Sequence, residues 1–271
     1  MAANENAPAG PAIRLSANLG FMWPDRALLE RITAAGRAGF RAIELHWPYE
    51  TQAAAVKAAC AAAGVQLLGV NTVVGDAAAG EFGLGALPGR EADFAASFQQ
   101  ALEFCRATGA NAIHAMAGVT PDTPESAATF IGNLKAASAA AAAAGVTVLL
   151  EPINPRDKPG YFYHRVERAA EIIAAVGADN VRLMFDAYHV GVGQGDVLRR
   201  FATHLPLIGH IQIAAVPSRA EPDEGELNYA AILDAIAASG YAGWVGCEYK
   251  PRGDTDAGLG WREALGADRF G

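Results

Sequence analysis

Four apolar runs in the second half of the chain each deliver one oxygen-bearing side chain, and this recurrence restricts the fold more than any other feature of the sequence. The stretch from Gly145 to Pro155 reads GVTVLLEPINP. Val146 to Leu150 has the unbroken apolar character of a strand covered on both faces, and Asn154 with the two prolines ends it just after Glu151. VRLMFDAYH repeats the pattern with Asp186, LIGHIQIAAV with Gln212 inside the run, and GWVGCEYKP with Glu248. Their separations of 35, 26 and 36 residues match one strand-helix-strand unit each. Barrels and open parallel sheets gather their chemistry at the carboxyl ends of the strands, so consecutive units bring these four side chains together.

Three acids and one amide, with no thiol and no obligatory imidazole, suit a hard divalent cation, Mg²⁺ or Mn²⁺, better than zinc. Such a cation holds the carbonyl and hydroxyl oxygens of an α-hydroxy ketone or aldehyde and stabilises the ene-diolate formed when the neighbouring C–H is deprotonated. Glu151 and Glu248 are then candidates for the acid and base, provided each keeps one oxygen free.

The rest of the chain supplies the units that this reading needs. IRLSANLG reads as the first strand, and Asp25 is placed to cap an amphipathic helix ending at Gly39. FRAIELHWP is the second strand. Glu44 inside it needs polar partners, as a support of the barrel floor or a pocket residue, and His46 and Trp47 at its exit are placed as pocket walls. VQLLGVNTVVG is the third, with Asn71 near its end as a further pocket candidate, and the glycine-rich stretch from Gly75 to Arg90 reads as a long mobile loop over the barrel mouth. NAIHAMAG is the fourth strand, and His114 within it reads as a hydrogen-bonded core residue. The alanine-rich run before Gly145 fits one helix, HRVERAAEIIAAVG and NYAAILDAIAASG two more, and a short helix falls around Asp196 to His204. Eight strands alternating with helices over 271 residues predict a single (β/α)8 TIM barrel. The doubly wound open sheet, its main rival, lacks a switch-point glycine motif here.

A net charge of −8 argues against a nucleic-acid or anionic-membrane surface and for small-molecule chemistry. Cys60, Cys105 and Cys247 form no close pair and read as buried free thiols in a reducing cytoplasm. Residues 1–12, MAANENAPAGPA, have neither the basic start nor the apolar core of a signal peptide and read as a floppy tail before a barrel domain spanning 13–271. No apolar run approaches the ~20 residues that span a bilayer, so a cytoplasmic protein is expected. The end of the chain, GLGWREALGADRFG, suits packing on its own barrel or on a neighbouring copy, which leaves a homo-oligomer open.

The strings FRAIELHWPYE, GLGALPGR, AIHAMAGV, LLEPINPRDKPGYF, FDAYHV, GHIQIAAVPSRAEPDEGELNY and GWVGCEYKPRGDTDAGLGW resemble the hydroxypyruvate isomerase family within the xylose isomerase-like TIM barrels, from about Arg14 to Trp261. The resemblance implies Glu151, Asp186, Gln212 and Glu248 as divalent-metal ligands, with Glu151 and Glu248 as the acid/base pair. It also implies that His189 hydrogen-bonds the substrate's oxygens near the metal, and that Arg219 and Lys250 lie close enough to meet a substrate carboxylate. The type reaction of the family interconverts hydroxypyruvate and tartronate semialdehyde, and a related branch isomerises four-carbon 2-dehydrotetronates. This chain departs from the family's usual pattern at NLGFMW (Asn18 to Trp23), at LHWPY and at Ala220, all in expected pocket walls, so the resemblance leaves the length of the hydroxy-oxo acid open. Of the alternatives, a ketose 3-epimerase resembles a site with histidine in place of Gln212. An abasic-site endonuclease needs a histidine-rich zinc cluster and a basic face, which six scattered histidines and the acidic balance do not offer. A non-catalytic binding barrel would be expected to lose one of the four candidate ligands.

Overall fold

A closed ring of eight parallel strands, paired in sequence order with the last returning to the first, surrounds the candidate residues in the computed structural model, which describes residues 12–271. Residues 1–11, most of the stretch expected to be a tail, lie outside the described residues. The strands are β1 Arg14–Asn18, β2 Ala42–Glu44, β3 Gln66–Asn71, β4 Ala112–His114, β5 Thr147–Leu150, β6 Val181–Asp186, β7 Ile208–Ile213 and β8 Trp244–Cys247. The helices between them are α1 Leu28–Arg37, α2 Ala53–Ala63, α3 Glu91–Thr108, α4 Pro124–Ala142, α5 Val166–Val176, α6 Ala187–Gly193, α7 Val197–His204 and α8 Tyr229–Ala238. The predicted TIM barrel is therefore the observed one. Among the described residues no helix is long and apolar enough to cross a membrane.

Three local features differ from the sequence expectation, two of them for tertiary reasons. First, α1 starts at Leu28 with Ala27 at its cap, where the Glu30 carboxylate accepts the Ala27 N–H at 3.0 Å. Asp25 is bypassed because Trp23 is buried and anchored to the end of the chain: its N–H donates to Thr255 Oγ at 2.8 Å and its indole N–H to Asp256 at 2.8 Å. Second, β6 passes directly into the unforeseen α6, capped by Asp186 Oδ1, which accepts the Tyr188 N–H at 2.8 Å. The run FDAYHVGV hides this helix, since a short apolar stretch has no clear period. Third, the loop from Gly75 to Arg90 is laced to the exit of β4, with Gly85 N–H donating to Met116 O at 3.1 Å and Ala86 N–H to Ala117 O at 2.7 Å. Gly83 makes the approach close: a Cβ there would fall 2.6 Å from Met116 Cβ, and its φ of +109° suits only glycine.

The chain's end packs on its own barrel. Trp261 is buried with its indole N–H donating to Tyr249 Oη at 3.1 Å, and Phe270 stacks edge-on against it. Inside the ring, side chains do not fill the space beneath the strand ends. A cavity of about 300 Å³ remains there, lined by Gly69, Ala112 and Gly209 and edged by Glu44, His210 and Gln212.

Register fixes what faces the interior. Asp186 and Gln212 are direct partners, as are Asn18 with Glu44 and Asn71 with His114. The alternating residues serve the outer layer: Phe185 is buried against Phe201 of α7 at a ring separation of 5.9 Å. Phe185→Ala is expected to destabilise the protein by about 3–5 kcal/mol through the cavity it leaves, seen as a lower urea midpoint at unchanged slope.

Candidate active site

Glu151, Asp186, Gln212 and Glu248 lie at or beside the carboxyl ends of β5, β6, β7 and β8, and all four are buried. Three of them share one trait among the described residues. Asp186 spends Oδ1 on the α6 cap and leaves Oδ2 without a hydrogen bond. Gln212 donates its Nε2–H to Glu44 at 2.8 Å and leaves Oε1 bare, and Glu151 leaves Oε1 bare as well. Buried acceptors without donors are costly, so these three, carried at the ends of adjacent strands, favour positive charge beside them. The donor set fits a hard divalent cation, and Glu151, Asp186 and His189 offer atoms within 4.8 Å of one another.

Glu248 differs. His46 Nε2 lies 3.0 Å and Asn18 Nδ2 3.2 Å from its Oε1, while Arg219 Nη2 donates to Oε2 at 3.2 Å. Burial alone would raise its pKa, but the hydrogen bond from His46 and the positive field of Arg219 outweigh burial and bring it to about 2. Asp186 goes the other way: burial, then repulsion from Glu248, raises it to about 7 against the pull of Arg219. Burial and the neighbouring Glu248 and Asp186 likewise raise Glu151 well above the carboxylate range. Acids with separated affinities for a proton are what a proton-transfer site requires.

His189 is set as a donor by its surroundings. The Asn154 N–H at 3.2 Å and Asn154 Nδ2 at 2.6 Å both point at Nδ1, and Asn154 Oδ1 is fixed as the acceptor of the Asp157 N–H at 2.9 Å. Burial, then Arg219, lowers the ring's pKa to about 3, so it is neutral and its proton sits on Nε2. That nitrogen lies 3.5 Å from Glu151 Oε1 and 3.7 Å from Asp186 Oδ2. A protonated nitrogen donates a hydrogen bond and does not ligate a cation, which separates His189 from the two carboxylates beside it. The 3.4 Å approach of Arg219 Nη2 to Nε2 is the weaker contact and does not set the tautomer.

Arg219 is held unusually firmly. Its φ of +57° is a left-handed conformation that costs a non-glycine residue of order 1–3 kcal/mol, here imposed by hydrogen bonds from its N–H to Ala215 O at 2.8 Å and from Lys250 N–H to its own carbonyl at 2.7 Å. Its guanidinium lies 5.0 Å from the rings of both Phe21 and Tyr188 and meets Asp157 at 3.3 Å. Lys250 is exposed at the rim, 5.7 Å from the Phe21 ring. His46, Trp47 and Asn71 line the mouth as expected from the sequence, together with Phe82 from the loop after β3.

His114 is buried as the sequence reading expected, but it also lines the mouth: its Nδ1 lies 3.4 Å from Glu151 Oε2, and its Nε2 has no hydrogen-bond partner among the described residues. Asn18, Asn154 and Asp157 were not singled out from the sequence. Asn18 ends β1, and Asn154 and Asp157 lie in the loop after β5, and polar residues at strand ends and in loops are too common to mark a site.

Protons would compete with any cation held by Asp186 and Glu151. Their raised affinities make the metal-free fold lose stability as pH rises through about 7, the value of Asp186, where unpaired charge accumulates. Between pH 5.5 and 8 the melting temperature of metal-stripped protein is therefore expected to fall, and the increase produced by added Mn²⁺ to grow. A Mn²⁺-induced shift that does not change with pH would contradict this assignment.

Comparison with known proteins agrees with this geometry. The family model for the xylose isomerase-like TIM barrel matches residues 32–267. A 2-oxo-tetronate isomerase of Cupriavidus necator is 49% identical over 92% of this chain and 96% of its own length. The hydroxypyruvate isomerase of Escherichia coli is 35% identical over 93% and 98%. Among solved structures, a Brucella melitensis protein described as AP endonuclease, family 2, superposes with a TM-score of 0.90 at 38% identity, covering 93% of this chain and 98% of that one. The chain belongs to the xylose isomerase-like TIM-barrel family, among the isomerases that include the hydroxypyruvate and 2-oxo-tetronate isomerases.

Proposed function

We propose that this chain interconverts the aldehyde and ketone forms of a small hydroxy-oxo acid with a divalent cation, Mg²⁺ or Mn²⁺, at the strand ends. The observation that carries the reading is the set of bare, buried oxygens of Glu151, Asp186 and Gln212 beside a guanidinium locked in place at Arg219. These three residues would hold the cation, with Glu248 completing the set. When bound, the cation supplies positive charge to the substrate's carbonyl and hydroxyl oxygens and so acidifies the adjoining C–H.

The chain's own residues account for the rest. Arg219 receives the substrate carboxylate, with Lys250 adding positive charge at the rim. A carboxylate arriving there competes with Glu248 Oε2 for the guanidinium, so binding frees the group that must take a proton. Glu248, kept ionised by His46 and Arg219, is the base for the hydroxyl-bearing carbon. Glu151 is the partner at the neighbouring carbon. One C–H proton leaves, the hydroxyl proton passes to the former carbonyl oxygen, and one proton returns to the former carbonyl carbon, so no redox partner is needed. His189 Nε2–H steadies a substrate oxygen, and Asn71, Phe21, Trp47 and Phe82 wall the pocket from water.

Two substrates fit the same scheme: hydroxypyruvate, in equilibrium with tartronate semialdehyde, and a four-carbon 2-oxo-tetronate. The greater similarity to the Cupriavidus necator enzyme favours the four-carbon acid. An endonuclease reading has little support, because the net charge is −8 and nucleic-acid binding needs a clustered basic field. A cytoplasmic setting belongs to the same proposal and is supported by three buried, unpaired thiols.

The test is NMR in D₂O of metal-stripped and Mg²⁺-loaded protein with both acids in parallel. Metal-dependent conversion with deuterium entering beside the carbonyl is expected, and the preferred acid identifies the chain length. Failure of both to convert or exchange would remove the isomerase reading. Glu248→Gln is expected to lower kcat by about 10²–10⁴-fold with the fold retained, and a near-normal rate would take Glu248 out of the proton transfer.

A further inference from the structure

One layer of side chains crosses the barrel just beneath the bare oxygens. Asp186 on β6 is the register partner of Gln212 on β7, Gln212 of Gly246 on β8, and Gly246 of Ser16 on β1. Glu44 on β2 reaches over this layer from the far side. Its Oε1 accepts Ser16 Oγ–H at 2.5 Å and lies 3.0 Å from His210 Nε2, and its Oε2 accepts the Gln212 amide at 2.8 Å. The route exists because position 246 is glycine. A Cβ there would fall 2.3 Å from Glu44 Oε1 and 3.0 Å from Gln212 Cγ.

An amide is nearly symmetric in shape and opposite in chemistry at its two ends, so a glutamine offered to a cation is a ligand in one orientation and a repulsive N–H dipole in the other. Nothing in the β7 backbone chooses between them. The carboxylate of Glu44 does, because its oxygen takes the N–H end and leaves Oε1 on the side away from it, where it is buried and takes no hydrogen bond.

We infer that Glu44 is a positioning residue for the cation site: it locks the Gln212 amide with its oxygen presented beside Asp186, through an opening kept clear by Gly246. The inference rests on the cation reading given above. It assigns Glu44 no contact with substrate, and it explains why the only neutral member of the proposed ligand set has a buried carboxylate behind it.

The experiment is a Mn²⁺ titration followed by the electron paramagnetic resonance of free Mn²⁺, on wild type, E44Q, Q212L, the E44Q/Q212L double variant and G246A. The melting temperature of each metal-free protein is measured alongside. E44Q and G246A are expected to weaken Mn²⁺ binding by about 10–100-fold, the usual cost of losing a residue that orients a metal ligand. G246A retains the Glu44 carboxylate and crowds both it and Gln212 Cγ, so a loss there reports the placement of the Glu44–Gln212 pair and not charge, and it carries the test if E44Q does not fold. In the Q212L background E44Q is expected to have little further effect, since Glu44 then has no amide to orient. Wild-type affinity in both E44Q and G246A, or an equal loss from E44Q with and without Gln212, overturns the role of Glu44 while leaving the cation reading standing. If wild type itself binds no Mn²⁺, the cation reading falls and this inference falls with it.

Discussion

Burying an oxygen acceptor without a donor is the physical cost around which this barrel is arranged. Glu151, Asp186 and Gln212 each place one such oxygen at the strand ends. Each side chain is otherwise satisfied or closely approached at its second polar atom, by His114, the Tyr188 amide or Glu44. The bare atoms are therefore the ones left over after the protein's own hydrogen bonding is complete, and they sit together because parallel strands in register bring their ends to one rim. Filling that rim with positive charge relieves the cost, which gives the proposed cation site a thermodynamic basis independent of any likeness to other proteins.

The acids at this rim are graded by their neighbours. Glu248 has donors on both oxygens and stays ionised, whereas Glu151 and Asp186, with fewer donors and more burial, hold protons more tightly. The grading comes from specific contacts: the His46 ring from the exit of β2 and the Arg219 guanidinium from the loop after β7 meet Glu248 and leave the other two acids without such partners. Arg219 in turn is held by its backbone and by two aromatic faces, so the cation that orders the acids is itself fixed in space. Rigid placement of this kind limits reorganisation during a proton transfer, the usual source of an enzyme's electrostatic advantage.

Beneath the site the barrel interior holds a cavity of about 300 Å³ lined in part by Gly69, Ala112 and Gly209, and Gly246 leaves space beside Gln212. The room is used by a polar group: Glu44 spans from β2 to β7 and meets Ser16, His210 and Gln212 on the way. Apolar packing is thus concentrated outside the ring, where Phe185 and Phe201 and their neighbours join strands to helices, and the inside is devoted to orienting side chains.

Periodicity and spacing were enough to read the alternating strands and helices, the closed barrel, and the four side chains at the ends of β5 to β8, because these depend on the local pattern of apolar runs and on where each run stops. The pocket walls His46, Trp47 and Asn71 were legible for the same reason. The existence of α6 was not, since its short apolar run has no clear period; nor were the start of α1, the site-facing role of His114 and the supporting contacts of Asn18, Asn154 and Asp157, since each of these depends on partners that are distant along the chain: Trp23 with Asp256, His114 with Glu151, Asn18 with Glu248. The sequence by itself determined which residues reach the rim. Only the tertiary structure decided which of their atoms are spent and which are left bare, because that depends on hydrogen bonds closed across the barrel between strands that no local pattern connects.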